Sequence, residues 1–558
     1  MKRIVLLLIL MMCWLYALPP AIETIIKHFN IPKRNLSIYI EKIGSSNRMV
    51  ASLNASVAHA PASTIKVLTI YAAILKLGFD YRWPTRFYAT GTIKNGILDG
   101  DLIIKGFGDP TLSTDDLDDI VAQIKAKGIR EIMGNIIIDR SYFKVGIKNS
   151  SCFDDNPNSP YNAMPDAMMF NERVSTICVV PNKNNVHKKD PDRSFIVHNQ
   201  LQRINRPCRG RYSWPLVKVD SSKAVPEVWI KGKISKWCGS RNINKVVTRP
   251  YQSFYYILKE ALHDAGVQVK GNMYLHKVPF GARTLFTHYS QSLEEIVSQT
   301  AKDSNNLYAR HLLLLLCAKV YGAPATLQKG RKAVLHILRS YGVLRSNGKL
   351  KLDNGSGLSR TAKINANILT RVLEHAYRRY GMRWMKTLSI AGVDGTLEQR
   401  FQRTVAYKRA WMKTGTLKHV KNIAGYVKGR NGRYYIAVIL ANAKNKRQKE
   451  RAEKLQNKII EWLVTYKGKK AVARKRFSPR KETKHTQHYY IQVGFFNNAP
   501  SAKYLLRLEN FGLPYNVDDN GAYRVLIGPY ANEKKAYRIL KKVRESINPH
   551  AFLFNRKE

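Results

Sequence analysis

Acidic residues are scarce in this chain. Its 558 residues hold 39 Asp and Glu against 94 Lys and Arg, a formal charge of +55. A field of that sign favours an anionic partner, whether nucleic acid, a membrane surface or an acidic polymer, and charge alone does not choose among them. Cysteine is also sparse, at six residues. No C-x-x-C occurs, and no histidine pairs with a cysteine at ligand spacing, so nothing resembles a zinc site and no metal or organic cofactor is expected. Cys152, Cys178, Cys208 and Cys238 fall within one stretch, where an oxidising compartment would permit two disulfides. Spacing does not fix their pairing. Cys317, in "HLLLLLCAKV", reads as a buried free thiol.

The N-terminus, "MKRIVLLLILMMCWLYALPPA", has a basic start, an apolar run from Ile4 to Leu18, then small residues and prolines. That is the pattern of a secretory signal, and the run is short for a spanning helix. Residues 1–18 are therefore expected to direct export to the periplasm, with an uncleaved inner-membrane anchor as the alternative. Export argues against a nucleic-acid partner.

At this length about three or four domains are expected, and an apolar fraction of 44% is enough for sizeable cores. Residues 20–53 read as a short helix and a hairpin, "LSIYIEKI", turning at "GSSN". From about Phe87 to Phe286, short β-branched runs such as "LDGDLIIKG" and "GNIIIDRSYF" alternate with Gly, Pro and Asn turns, predicting a mainly β insert. Helical stretches follow, and most end in Gly, as a helix C-cap often does. "AWMKTGTLKHVKNIAGYVKGRNGRYYIAVILANA" predicts three strands, with Asn431-Gly432 the tight turn between the last two. A further helix, "ERAEKLQNKIIEWLV", closes this region. The basic stretch 466–487 reads as a solvated linker. Beyond it, 488–558 has the order βαββαβ. The expected fold class is multidomain α+β: a domain in two segments, 19–86 and 286–465, an insert over 87–285, the linker and the tail.

Chemistry is first suggested by "HAPASTIKVLTIYAAILKLG", from His59. Between Ile65 and Leu77 only Lys66, Thr69 and Lys76 are clearly polar, and a helix apolar on every side is normally buried. A buried lysine is costly unless it is paired or gives up its proton. Ser63 lies three residues earlier, about one helical turn away. That is the geometry of a serine nucleophile beside a desolvated amine serving as its base. Alone, S-x-x-K is common by chance.

Two later motifs complete a set. "DSNNLYARHLL" supplies Ser304 and Asn306 just before an apolar helix, where both types also make ordinary N-caps. "MKTGTL" supplies Lys413, Thr414, Gly415 and Thr416 at a strand start. Gly415 would let a substrate backbone lie close to the strand edge, and Lys413 with the two hydroxyls would hold a carboxylate. Each motif is weak, while the ordered set is specific.

With S-x-x-K, S-x-N and K-T-G in order, the sequence resembles the penicillin-binding serine peptidases and β-lactamases. The long stretch between Ser63 and Ser304 carries "GFGDPTL", "GNIIID" and "YNAMPDAMMFNE", and "DNGSGLSR" and "AGVDGTLEQRF" follow. These look like the D-alanyl-D-alanine carboxypeptidase/endopeptidase family, peptidase family S13, low-molecular-mass penicillin-binding proteins, over roughly residues 25 to 465. One departure is Ser-Asn-Asn where Ser-Asp-Asn is usual. The resemblance implies an antiparallel sheet beside a helical cluster, with the site between them. It implies a Ser63 acyl-enzyme, Lys66 as base, and Ser304 relaying a proton to the leaving amine with Lys413 in support. Asn306 would orient the substrate amide, and Thr414 and Thr416 would take the terminal carboxylate. The N–H groups of Ser63 and Thr416 would form an oxyanion hole. Penicillins would acylate Ser63 covalently, and stem peptides of peptidoglycan would be the substrates.

The tail, with "YYIQVGFF" and "YRVLIGPY", looks like a SPOR domain, which binds glycan strands stripped of their peptides. An RNA-binding RRM shares the strand order but needs a basic-glycine-aromatic signature that "AYRVLIGPY" lacks. Gln492 and Arg524 are the expected glycan contacts. The charge would then meet the acidic groups of the sacculus and of an anionic membrane surface. The competing readings are a β-lactamase with fast deacylation and an inactive wall-binding scaffold.

Overall fold

A computed structural model describes residues 18–557 apart from 45–47, 147, 149, 345–349, 468–486 and short stretches of the tail. The expected signal apart from Leu18, which is buried in a core, the central part of the basic linker and the Ser45–Asn47 part of the first hairpin turn lie outside the described residues. The chain divides into two units, 1–468 and 469–558. No helix among the described residues is long and apolar enough to cross a membrane.

The first unit is organised around a six-stranded antiparallel sheet in the order Ser389–Ile390, Ala410–Leu417, Val420–Lys428, Tyr434–Asn442, Leu36–Lys42, Met49–Leu53. The expected hairpin and three-stranded run are thus neighbours, with Leu36 opposite Ala441 and Lys42 opposite Tyr435. Alternation along the strands feeds two cores. Ala424, Tyr426, Ile436, Val438 and Leu440 face the helices Lys66–Leu77, Leu293–Lys302, Asn306–Tyr321, Leu327–Ser340 and Ala366–Met385. Ile38, Ile423, Val427 and Ile439 face Pro20–His28 and Lys446–Thr465 on the other side. Helices on both faces explain why these strands read as nearly continuous apolar runs.

The insert combines sheets with two helices. Its five-stranded sheet runs Met273–Leu275, Ile136–Asp139, Leu102–Gly106, Pro84–Ala89, Arg283–Tyr289, so it begins before Phe87 and continues past residue 285. The helices Leu117–Ala126 and Pro250–Asp264 pack on its core. A smaller lobe holds two three-stranded sheets around Ile177, Val179, Val228, Ile230, Ile234 and Ile243. One disulfide forms there, Cys208–Cys238, rather than the two that the sequence permits. Cys178 is a free thiol because its neighbours Ile177 and Val179 enter the lobe core, which turns Cys178 to the sheet's other face. Cys152 is free and exposed in a loop, and Cys317 is a buried free thiol.

The second unit is a four-stranded antiparallel sheet, ordered Tyr515–Asp519, Tyr523–Tyr530, Gln487–Phe496, Phe552–Lys557, with the helix Glu533–Ser546. Most of the other expected helix, "SAKYLLRLENFG", lies outside the described residues.

Candidate active site

Ser63 sits in the single 3₁₀ turn Ala62–Ile65, which leads directly into the helix Lys66–Leu77. Neighbouring elements hold the turn from two sides. Asn422, fully buried on the sheet, donates from Nδ2 to Ala60 O at 2.9 Å and Pro61 O at 2.8 Å. Its Oδ1 accepts from Ala441 N at 3.0 Å. Glycines permit the closest approaches. A Cβ at Gly415 would lie 2.9 Å from Pro61 O and 3.1 Å from Ser63 N. At Gly357, with φ +85°, it would lie 1.9 Å from Ala62 O. Gly415, expected to make room for substrate, makes room for the nucleophile's turn.

Lys66 is fully buried. Its Nζ lies 3.0 Å from Ser63 Oγ and donates to Asn306 Oδ1 at 2.7 Å and Ser356 O at 2.6 Å. No carboxylate is within ion-pair distance of it among the described residues. Burial first, then the charges of Lys413 and Arg310, hold its amine well below the ordinary lysine value. The "DNGSGLSR" segment supplies the Ser356 carbonyl. Within it, Asn354 Oδ1 accepts from Ser356 N at 3.1 Å, and Gly355 O accepts from Thr69 Oγ1 at 2.9 Å.

The stretch "SLEEIVSQTAKDSNNLYARHLLLLLCAKVYG", read from the sequence as one helical run, breaks at Asp303–Asn305 into Leu293–Lys302 and Asn306–Tyr321. Asn305, rather than Ser304 or Asn306, is the N-cap, its side chain accepting from Tyr308 N. Both motif side chains are therefore left for the site, with Ser304 held at φ 60°. Asn306 Nδ2 donates to Tyr161 O at 3.2 Å. Glu172 secures the cap from the insert, accepting from Asn305 Nδ2 at 2.9 Å and Tyr308 OH at 2.8 Å.

Lys413, also fully buried, reaches Ser304 Oγ at 3.0 Å. Burial pulls its amine down to about 7, against which the Asp303 carboxylate raises it. Thr414 Oγ1 donates to Thr396 Oγ1 at 2.8 Å, and Thr416 is exposed at the strand end. Direct contacts thus join Lys66 to Ser63 and Asn306, and Lys413 to Ser304, with the K-T-G-T strand packed against the Ser63 turn.

That constellation coincides with a sequence match: residues 18–465 fit the pattern of the D-Ala-D-Ala carboxypeptidase 3 (S13) family. The chain belongs to this family. It is an S13 serine peptidase, and it carries a SPOR domain, a peptidoglycan-binding module, over residues 486–553. D-alanyl-D-alanine carboxypeptidase DacB of Haemophilus influenzae is 28% identical over 414 residues, 71% of this chain and 82% of that protein. The D-alanyl-D-alanine carboxypeptidase of Actinomadura sp. (strain R39) is 28% identical over 395 residues, 68% of this chain and 72% of its own. The crystal structure of penicillin-binding protein 4 from Haemophilus influenzae aligns with a TM-score of 0.67 at 26% identity, covering 80% of this S13 peptidase and 99% of that chain. The same protein complexed with a β-lactam aligns at 0.64, with 26% identity, 79% of this chain and 100% of the other covered.

In the SPOR domain, Gln492 lies between the buried Ile491 and Val493, opposite Leu526. Arg524 is exposed two residues before Leu526, so both residues belong to the sheet face turned away from Val493 and Val525.

Asn422, Gly357, Ser356, Glu172 and Thr396 were not singled out by sequence reasoning. One signal was available for Asn422, a lone amide in the apolar strand "VKNIAGYV". The others lie in or beside motifs that were recognised only as wholes.

Proposed function

We propose that the chain is a periplasmic DD-peptidase in which Ser63 Oγ attacks the carbonyl carbon of the penultimate D-alanine of a stem peptide. The observation that carries this reading is Lys66 Nζ, buried without a carboxylate, 3.0 Å from Ser63 Oγ. A neutral amine has two N–H groups and one lone pair. With the N–H groups donated to Asn306 Oδ1 and Ser356 O, the lone pair faces the Ser63 hydroxyl and takes its proton. The N–H groups of Ser63 and Thr416 receive the oxyanion, and Asn306 orients the substrate amide. Lys413, Thr414 and Thr416 hold the terminal carboxylate. The C–N bond breaks as the proton taken by Lys66 is relayed through Ser304, supported by Lys413, to the leaving amine, which leaves Lys66 neutral again. Water then releases the acyl group and restores Ser63. A β-lactam would enter the same step and leave Ser63 acylated, in keeping with the β-lactam complex of the Haemophilus relative.

The domain limits proposed, with the insert widened to hold its whole five-stranded sheet, are a signal ending before Leu18, a peptidase in the segments 18–83 and 290–465, an insert at 84–289, a linker at 466–486 and the SPOR domain at 487–558. Gln492 and Arg524 are proposed to contact glycan. The deciding experiment is mass-spectrometric product analysis on a pentapeptide monomer and a cross-linked dimer, with Ser63→Ala as control. Loss of one alanine makes the protein a carboxypeptidase, and splitting of the dimer an endopeptidase. Ser63-independent product, or none from folded protein, would overturn the reading.

A further inference from the structure

The small lobe of the insert ends in a surface that the peptidase does not use. Its outer sheet has Glu227–Ser235 as the central strand, flanked by Ile196–Ile204 and Leu216–Asp220. Charge is divided along this sheet. At one end Asp220 stands opposite Glu227, and Glu227 is already engaged by Lys223 and His198. At the other end the Cys208–Cys238 disulfide, with Cα atoms 5.1 Å apart, ties the loop before Leu216 to the end of the central strand.

Large apolar side chains stand in solvent at this pinned end. Trp214 is 52% exposed, Leu216 70% and Trp237 67%. They sit among cations: Arg241 lies 5.7 Å from the Trp214 ring and Lys236 4.9 Å from the Trp237 ring. Arg211 donates to the Tyr212 hydroxyl, and together with the charges of Arg206 and Lys233 it holds that phenol below its usual range. Among the described residues, no carboxylate lies within ion-pair distance of Arg211, Lys233, Lys236 or Arg241. The three apolar side chains flank the disulfide from both sides of the central strand, and large apolar side chains exposed together at one end of a lobe are the pattern of an interaction surface.

The chemistry favours a bilayer over a glycan. Glycan sites pair an indole face with side chains that hydrogen-bond sugar hydroxyls through both donors and acceptors, whereas here the groups beside the rings are cations. The Trp237 N–H is bound to Asn205 Oδ1 at 2.9 Å, and Leu216 offers no hydrogen bond. Indoles, an aliphatic side chain and unpaired cations on one rigid end are what a headgroup zone with acidic lipids accommodates. We propose that the disulfide-pinned end of this lobe is a peripheral docking site for an anionic phospholipid bilayer. Trp214, Leu216 and Trp237 would enter the headgroup zone while the surrounding cations face acidic lipid. This goes beyond the peptidase reading and does not depend on it.

The test is amide hydrogen exchange of the full chain with vesicles of mixed phosphatidylglycerol and phosphatidylcholine, against phosphatidylcholine alone. Anionic vesicles should protect residues 205–216 and 232–241, and neutral vesicles should not. Trp214→Ser with Trp237→Ser keeps every charge and should weaken anionic-vesicle binding at these segments about tenfold. Thermal unfolding and Ser63 acylation by a fluorescent penicillin check that this variant folds. Leu216→Ser alone should give a smaller loss in the same direction. The proposal falls if anionic vesicles leave these segments unprotected or if the double variant retains full protection, which would reduce the effect to overall charge. It also falls if purified glycan strands, and not vesicles, protect them.

Discussion

Gly415 and Ser63 meet backbone to backbone: a Cβ at position 415 would lie 3.1 Å from the Ser63 amide nitrogen and 2.9 Å from Pro61 O. The K-T-G strand is therefore a wall against which the nucleophile's turn is set. Gly415→Ala should push that turn away by a few tenths of an ångström and misalign Ser63 Oγ with Lys66 Nζ. Acylation by a fluorescent penicillin should fall by up to about a hundredfold, with little change in melting temperature. Wild-type acylation rates in this variant would show that the contact does not position Ser63.

Lys66 is the second test of the same geometry. Lys66→Ala should lower the acylation rate by about 10²–10⁴-fold. Lys66→Arg should fail as badly, because a guanidinium keeps its charge and has no lone pair to offer Ser63. Stopped-flow acylation measures both. If the arginine variant acylates normally, a positive charge rather than a base is what the position requires.

How much of this was legible follows the distance over which each contact is made. Ser63 and Lys66 are three residues apart, so local helical geometry alone brings them together. Asn422 holds Ala60 from 362 positions away, and Ser356 reaches Lys66 across 290. Periodicity carries no information about such pairs. The S-x-N motif was readable by residue type but ambiguous, since Ser304, Asn305 and Asn306 are all good N-caps, and only the structure assigns that role to Asn305. Gly415 was expected to admit a substrate backbone, and the structure adds the approach of the Ser63 turn, because a sequence does not say which backbone will approach a glycine. The sequence permits two disulfides and only one forms among the described residues, for a similar cause: proximity in sequence does not reveal that Cys178 points away from the core that Cys238 joins.

Glu172 links the insert to the site, binding both the Asn305 cap and the buried Tyr308 hydroxyl. Glu172→Ala should leave that hydroxyl without its partner and destabilise the protein by about 1–3 kcal/mol. Because Ser304 and Asn306 flank the cap, acylation should slow as well, by roughly tenfold. Glu172→Gln retains an acceptor for Tyr308 and should recover most of the stability. Equal melting temperatures for the alanine variant and wild type would show that the link is not structural.

The tail and the charge should separate on purified sacculi. Removing residues 488–558 should abolish the part of the binding that survives high salt, which the SPOR domain supplies. The remainder should be salt-sensitive, as screening of exposed cations requires. Cosedimentation across a salt series measures both parts. Retention that is unchanged by the truncation at high salt would remove the SPOR domain from wall binding.

The pH profile follows from two buried amines with different neighbours. Lys66 faces the cations Lys413 and Arg310, whereas Lys413 is raised by Asp303, so Lys66 should lose its proton at the lower pH. The productive form has Lys66 neutral and Lys413 charged. The acid limb of kcat/KM then reports protonation of the Lys66 base, and the alkaline limb reports loss of the Lys413 proton near 7. The amines interact, so the measured values belong to the pair. A bound substrate carboxylate favours the charged form of Lys413, so the alkaline limb of kcat should lie at higher pH than that of kcat/KM. Lys413→Arg cannot deprotonate in this range. It should lower the plateau, because the fork does not reproduce the contact with Ser304 Oγ, and it should carry the alkaline limb out of the accessible range. An alkaline limb that stays in place in that variant would assign it to another group and leave Lys413 charged throughout.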